Sequence, residues 1–157
     1  MLDLAIRLRN NPSRRMPRKS SARKKLTRKG VRDLATKIEF LEGLVRRDAE
    51  YVEALQLLGD HYTQRGRMEE SLRIDERLSR LEPRNPLVFY NLACSCSLTG
   101  HVIRAARALD AALSLGYRDF KWLARDPDLR TLRQHPLYRD IEEKIRKMKS
   151  KRKVKVT

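Results

Sequence analysis

Between about residues 52 and 119 the chain matches itself at an offset of 34, and nothing else in the sequence limits the fold as much. At that offset Leu55 meets Phe89, Leu58-Gly59 meets Leu92-Ala93, and Gly66 meets Gly100. Ser71 then meets Ala105, Leu78 meets Ala112 and Pro83 meets Tyr117. Each unit reads as two helices with a short turn between them. In the first unit the helices span about 52–64 and 68–81, turning at Arg65-Gly66-Arg67. The second helix stops at Glu82-Pro83-Arg84-Asn85-Pro86, because proline lacks an N–H and clashes with the preceding turn. Asn85 then suits an N-cap and Pro86 a first helical turn. The second unit turns at Thr99-Gly100 and runs to about Leu115, where Gly116 breaks it. Gly59 should face Ser71, and Ala93 should face Ala105, where paired helices cross too closely for larger side chains. One such pair cannot bury its apolar face alone, so units stack and the ends need caps.

The string LLGDHYTQRGRMEESLRIDERLSRLEP is similar to a tetratricopeptide repeat. The family's pattern falls on Leu58, Gly59, Tyr62, Ser71 and Pro83. The second copy keeps Leu92, Ala93 and Ala105 but departs at Cys96 and Tyr117. Residues 38–47, followed by Asp48-Ala49-Glu50, fit the second helix of a partial preceding unit. The segment DFKWLARDPDLRTLRQHPLYRDIEEKI resembles an element that closes many bacterial arrays of this repeat. In it, Asp126-Pro127 and His135-Pro136 open helices, while Leu129, Leu132, Leu137, Tyr138, Ile141 and Ile145 supply apolar faces. Trp122 is expected to be a core anchor. The resemblance covers about residues 36–143. It implies an all-α fold: a short right-handed tetratricopeptide-like helical solenoid with a C-terminal helical cap and basic disordered tails.

The resemblance also implies a concave wall, formed by Glu53, Gln56, Asp60, Thr63 and Gln64, then Leu87, Tyr90, Cys94, Ser97 and Leu98. Such a wall suits a partner protein or peptide with an apolar anchor and a basic flank. Tyr90 and Leu87 are the first anchors, so Tyr90→Ala is expected to weaken binding and leave helicity intact. Some relatives grip a C-terminal carboxylate with a Lys/Asn/Asn/Lys/Arg set. Asn91, Lys121 and Arg125 match part of it, but Gln56 and Asp60 replace the rest, and Asp60 would repel a carboxylate. That clamp is rejected.

Charge divides the chain. The net charge is +17, yet residues 1–32 hold twelve Lys/Arg against Asp3, and residues 144–157 hold eight with no acid. Residues 33–143, which contain every aromatic, are near neutral. The expected organisation is a basic disordered tail over 1–32, a helical domain over 33–143 with units 52–85 and 86–119 and a cap over 120–143, and a basic C-terminal tail over 144–157. The run SRRMPRKSSARKKLTRKGVR cannot bury enough surface to offset chain entropy. Arg14, Arg15, Arg18, Lys19, Arg23, Lys24, Lys25, Arg28 and Lys29, with Lys149, Lys151, Arg152 and Lys153, are candidate polyanion contacts. The tails contain no aromatic for base stacking, so binding to RNA or DNA would be sequence-indifferent. This polyanion association, on RNA, ribosome or nucleoid, is the alternative to a protein-binding scaffold. The two signals could also join, with basic tails lying on the acidic end of the wall at Glu53 and Asp60.

No set of residues supplies a nucleophile, a base and an orienting group, so an enzyme is not expected. Cys94-x-Cys96 with His101 lacks the second ligand pair of a zinc site, and residues two apart on a helix point to different sides. No metal or cofactor is expected. Two cysteines suit a reducing compartment, and the expected setting is cytoplasmic. The uncharged run from 85 to 103 holds too few apolar residues for a membrane span. The first sixteen residues also weakly resemble a mitochondrial presequence, against which Asp3 argues, and Met16 is a second candidate start.

Overall fold

The structure, a computed structural model, describes residues 26–154, with side chains as far as Ser150. Among the described residues it is all-helical and contains no strand. In chain order the helices are α1 (Arg28–Arg47), α2 (Val52–Arg65), α3 (Met68–Leu81), α4 (Pro86–Leu98) and α5 (Val102–Ser114). Then follow α6 (Phe120–Leu123), a 3-10 turn (Pro127–Leu129), α7 (Arg130–Arg133) and α8 (Tyr138–Val154). Each of the first four helices packs on the next, most heavily α4 on α5 and α2 on α3, and α5 packs on α7 and α8.

The local chemistry matches the turns. Gly66 (φ 84°) and Gly100 (φ 79°) end α2 and α4 in the left-handed conformation that glycine adopts without a Cβ penalty. In both turns the following N–H reaches back five residues, Arg67 to the Tyr62 carbonyl and His101 to the Cys96 carbonyl, each at 2.8 Å. Asn85 caps α4 by accepting the Leu87 N–H at 3.0 Å, with Pro86 at the first position. The two pairs therefore repeat with α2 and α4, and α3 and α5, starting 34 residues apart.

The close crossing within the first pair is visible in hydrogen bonds. Ser71 Oγ donates to the Gly59 carbonyl at 3.1 Å, and Thr63 Oγ1 lies 2.8 Å from Ser71 Oγ. Ala93 and Ala105 are fully buried in the second pair. Gly59→Leu and Ala93→Leu should each destabilise the fold by about 1–3 kcal/mol through overpacking. A thermal melt unmoved by either change would contradict these crossings.

Two apolar cores share the molecule. Leu34, Ile38 and Leu41 of α1 pack with Leu55, Leu58, Ile74, Leu78 and Val88. Leu72, Tyr90, Ala93, Leu109 and Leu113 pack with Leu123, Leu129, Leu132, Tyr138, Ile141 and Ile145 of the C-terminal segment. α4 contributes to both, and the Ser95 hydroxyl donates to the buried Asp75 carboxylate to tie α4 to α3.

The N-terminal helix starts earlier than expected. α1 begins at Arg28, within the segment read as tail and ten residues before the expected leading helix. Val31, Leu34, Ile38, Leu41 and Val45 give it an apolar face, and Thr27 accepts the Gly30 N–H at 3.1 Å as its cap. At the other end α8 continues through the expected tail to Val154, with Ile145 buried.

Candidate functional site

The wall expected to hold a partner divides into an open half and a filled half. On α2, Glu53 and Gln64 are exposed and Gln56 is half-buried, while Asp60 and Thr63 are buried. Leu57, absent from the expected wall, is 45% exposed on the same helix. On α4, Leu87 and Leu98 are half-buried, but Tyr90, Cys94 and Ser97 lie in the core.

The C-terminal segment fills the α4 half. Tyr90 OH donates to Asp126 Oδ2 at 2.5 Å, and Cys94 Sγ lies 3.8 Å from the same oxygen. The Tyr90 ring stacks on Tyr117, with centroids 4.2 Å apart and planes 10° from parallel. The Leu132 N–H donates to Ser97 Oγ at 3.3 Å. Asp126 is itself fully buried and its other oxygen accepts the Asp128 N–H at 3.0 Å. Arg133 Nη1 donates to the Asp126 carbonyl at 2.5 Å, which holds the 3-10 turn in place. Burial, and then the neighbouring Cys94 and Asp126, push the Tyr90 phenol far above its ordinary range, so it remains a donor. Tyr90 is thus an internal anchor, and the expectation that Tyr90→Ala would spare the fold gives way.

At the open end, Glu42 of α1 joins α2 and α3. Tyr62 OH donates to Glu42 Oε1 at 2.7 Å, and the Arg67 guanidinium lies 4.4 Å from the centre of the Tyr62 ring. Arg67 also donates to Glu70 Oε1 at 2.8 Å and to Glu42 Oε1 at 3.4 Å. Burial first, then Glu42, pushes the Tyr62 phenol up to about 12. Beside it, burial and the nearby Lys37 charge lower the His61 pKa, and the His61 Nδ1 atom is enclosed with no hydrogen-bond partner.

A lowered imidazole pKa means that the unfolded chain binds the proton more tightly. Its stabilising contribution is present above the ordinary histidine value of about 6.5 and is lost as pH falls through the lower folded value. The melting temperature should therefore fall between neutral and mildly acidic pH, and His61→Gln should flatten that slope. An identical slope in the variant would remove His61 from the account.

The thiols are poorly placed for chemistry. Both are buried, Cys94 against the Asp126 carboxylate, and burial first pushes Cys96 up to about 11. His101 is exposed, its Nδ1 2.9 Å from Thr99 Oγ1. Among the described residues no cluster of three or more His, Cys, Asp or Glu side chains is placed to hold a metal ion. Nor is any helix there long and apolar enough to cross a membrane.

Of the basic residues, Arg14, Arg15, Arg18, Lys19, Arg23, Lys24 and Lys25 lie outside the described residues. Arg28 and Lys29 are exposed on the first turn of α1, where the helix dipole disfavours positive charge. Lys149 lies on α8 with its Nζ 5.6 Å from the Phe120 ring centre, and the backbone of Lys151, Arg152 and Lys153 continues that helix. Arg125, discounted above as part of a clamp, lies over the Trp122 ring at 5.7 Å.

No family model matches the chain. The chain is similar to a chloroplastic protein of Arabidopsis thaliana, with 35% identity over 92 residues. The match covers 54% of this chain and 28% of that protein, so it spans little more than a quarter of the relative's length.

Proposed function

We propose that the chain is a non-catalytic adaptor of the tetratricopeptide type, holding a protein or peptide on the open α2 wall. The observation that carries this reading is the repetition of the helix pairs 34 residues apart, with left-handed glycine turns at Gly66 and Gly100. Stacked pairs of this kind offer helix faces to a partner and need no reactive group. Glu53, Gln56, Gln64 and the exposed Leu57 supply polar contacts, a negative charge and an apolar anchor. The complementary ligand is a short segment with an apolar side chain and a basic flank.

A peptide-display selection against the full chain tests this. Enriched sequences should pair an apolar residue with Lys or Arg, and Glu53→Lys with Gln64→Lys should abolish capture while leaving the melt unchanged. Enriched peptides that survive both changes, or no enrichment, would overturn the reading.

A second reading, polyanion association, is favoured by one observation: α8 stays helical as far as Val154 through a segment without acids. Binding of RNA by the full chain that falls steeply with salt would support it.

A further inference from the structure

An open concavity lies at the C-terminal end, between α6 and α8. Phe120, Leu123, Tyr138 and Ile145 provide its apolar surface, Arg146 and Lys149 line it from α8, and its volume is about 440 Å³. That is within the range of small-ligand pockets, about 300–1,000 Å³, and admits a short stretch of chain rather than a folded domain. The neighbouring cations Lys144 and Lys147 are paired, with Asp110 and with Glu143. Arg146 and Lys149 are exposed and have no carboxylate within ion-pair distance among the described residues. Two cations, Arg146 and Lys149, face one lining carboxylate, Glu142, and the chain has no Asp or Glu after Glu143, so the lining is net positive.

We propose that the groove between α6 and α8 docks an acidic segment of a partner protein, with an apolar side chain of that segment seated between Phe120 and Ile145. The charge complements Arg146 and Lys149, while the apolar surface supplies the burial that surface ion pairs alone do not provide. A nucleic-acid backbone fits less well. Its phosphates and sugars would leave the apolar floor of Phe120, Leu123 and Ile145 without an apolar group. The surface is remote in sequence from the α2 wall and of opposite charge, so either can fail without the other.

The test is fluorescence anisotropy on the full chain at near-physiological salt, about 0.15 M, where exposed long-range charge effects are largely screened. The probe is a short labelled peptide of Asp and Glu with a central Phe-Leu pair. Controls are the same peptide with Ser-Ser at the centre and a single-stranded RNA of equal charge. The Phe-Leu peptide should bind roughly tenfold or more tighter than either control, a difference set by one buried anchor. Arg146→Glu with Lys149→Glu should lower its affinity by a similar factor. Ala124→Trp, at an exposed residue lining the groove, should block the peptide and leave the melt intact. Equal binding of both peptides, tighter binding of RNA, insensitivity to Ala124→Trp, or no binding of the Phe-Leu peptide would each overturn the proposal.

Discussion

Ending the chain at Asp119 is expected to unfold the entire body. The removed segment contributes Leu123, Leu129 and Leu132, all fully buried, with Tyr138, Ile141 and Ile145 nearly so. At about 1.5–3 kcal/mol per large apolar side chain, their loss is on the order of 10 kcal/mol. A domain of this size has roughly 5–15 kcal/mol in total. The truncation also uncovers Tyr90, Leu109 and Leu113. Circular dichroism should show no cooperative melt, whereas a chain ended at Ser150, which keeps Tyr138, Ile141 and Ile145, should melt like the full protein. A chain ended at Asp119 that melted within a few degrees of the full protein would refute the shared core.

Tyr90→Ala should produce the largest loss from a single substitution, about 3–5 kcal/mol, as for other buried aromatic truncations. The change removes the stack on Tyr117 and the donor to Asp126 together. Tyr90→Phe separates the two. It keeps the ring but leaves the buried Asp126 oxygen without its phenol, a cost of about 1–3 kcal/mol. Thermal denaturation of both variants should rank them in that order. Equal melting temperatures for Tyr90→Ala and the parent would return Tyr90 to the surface.

Much of the architecture is legible in the residues. The spacing of Gly66 and Gly100, and the prolines around Asn85, place α2 to α5 within a residue or two. Residues 28–32 read as tail because Arg28, Lys29 and Arg32 dominate the composition there, although Val31 and Leu34 already begin the apolar face of α1. The wall differs for another reason. Helical spacing gives the side of α4 on which Tyr90 and Cys94 stand, but not what covers that side. The signal that could have shown it is Asp126, a carboxylate before a proline and between buried leucines, able to accept from a buried phenol. The groove between α6 and α8 is invisible to periodicity, since α6 is a single turn and its wall comes from residues about 20 positions apart.

The pairing of Tyr90 with Asp126 also orders the birth of the protein. A ribosome makes α4 well before it makes the acceptor, so the emerging α4 presents Tyr90 and Cys94 to water with nothing yet to cover them. The first core can begin to gather once α3 and Val88 of α4 have emerged, but it is not stable until the second core forms, which must wait for the 3-10 turn and the start of α8. During that interval the nascent chain carries an unsealed apolar strip, and the pace of synthesis through residues 120–145 sets how long it stays exposed.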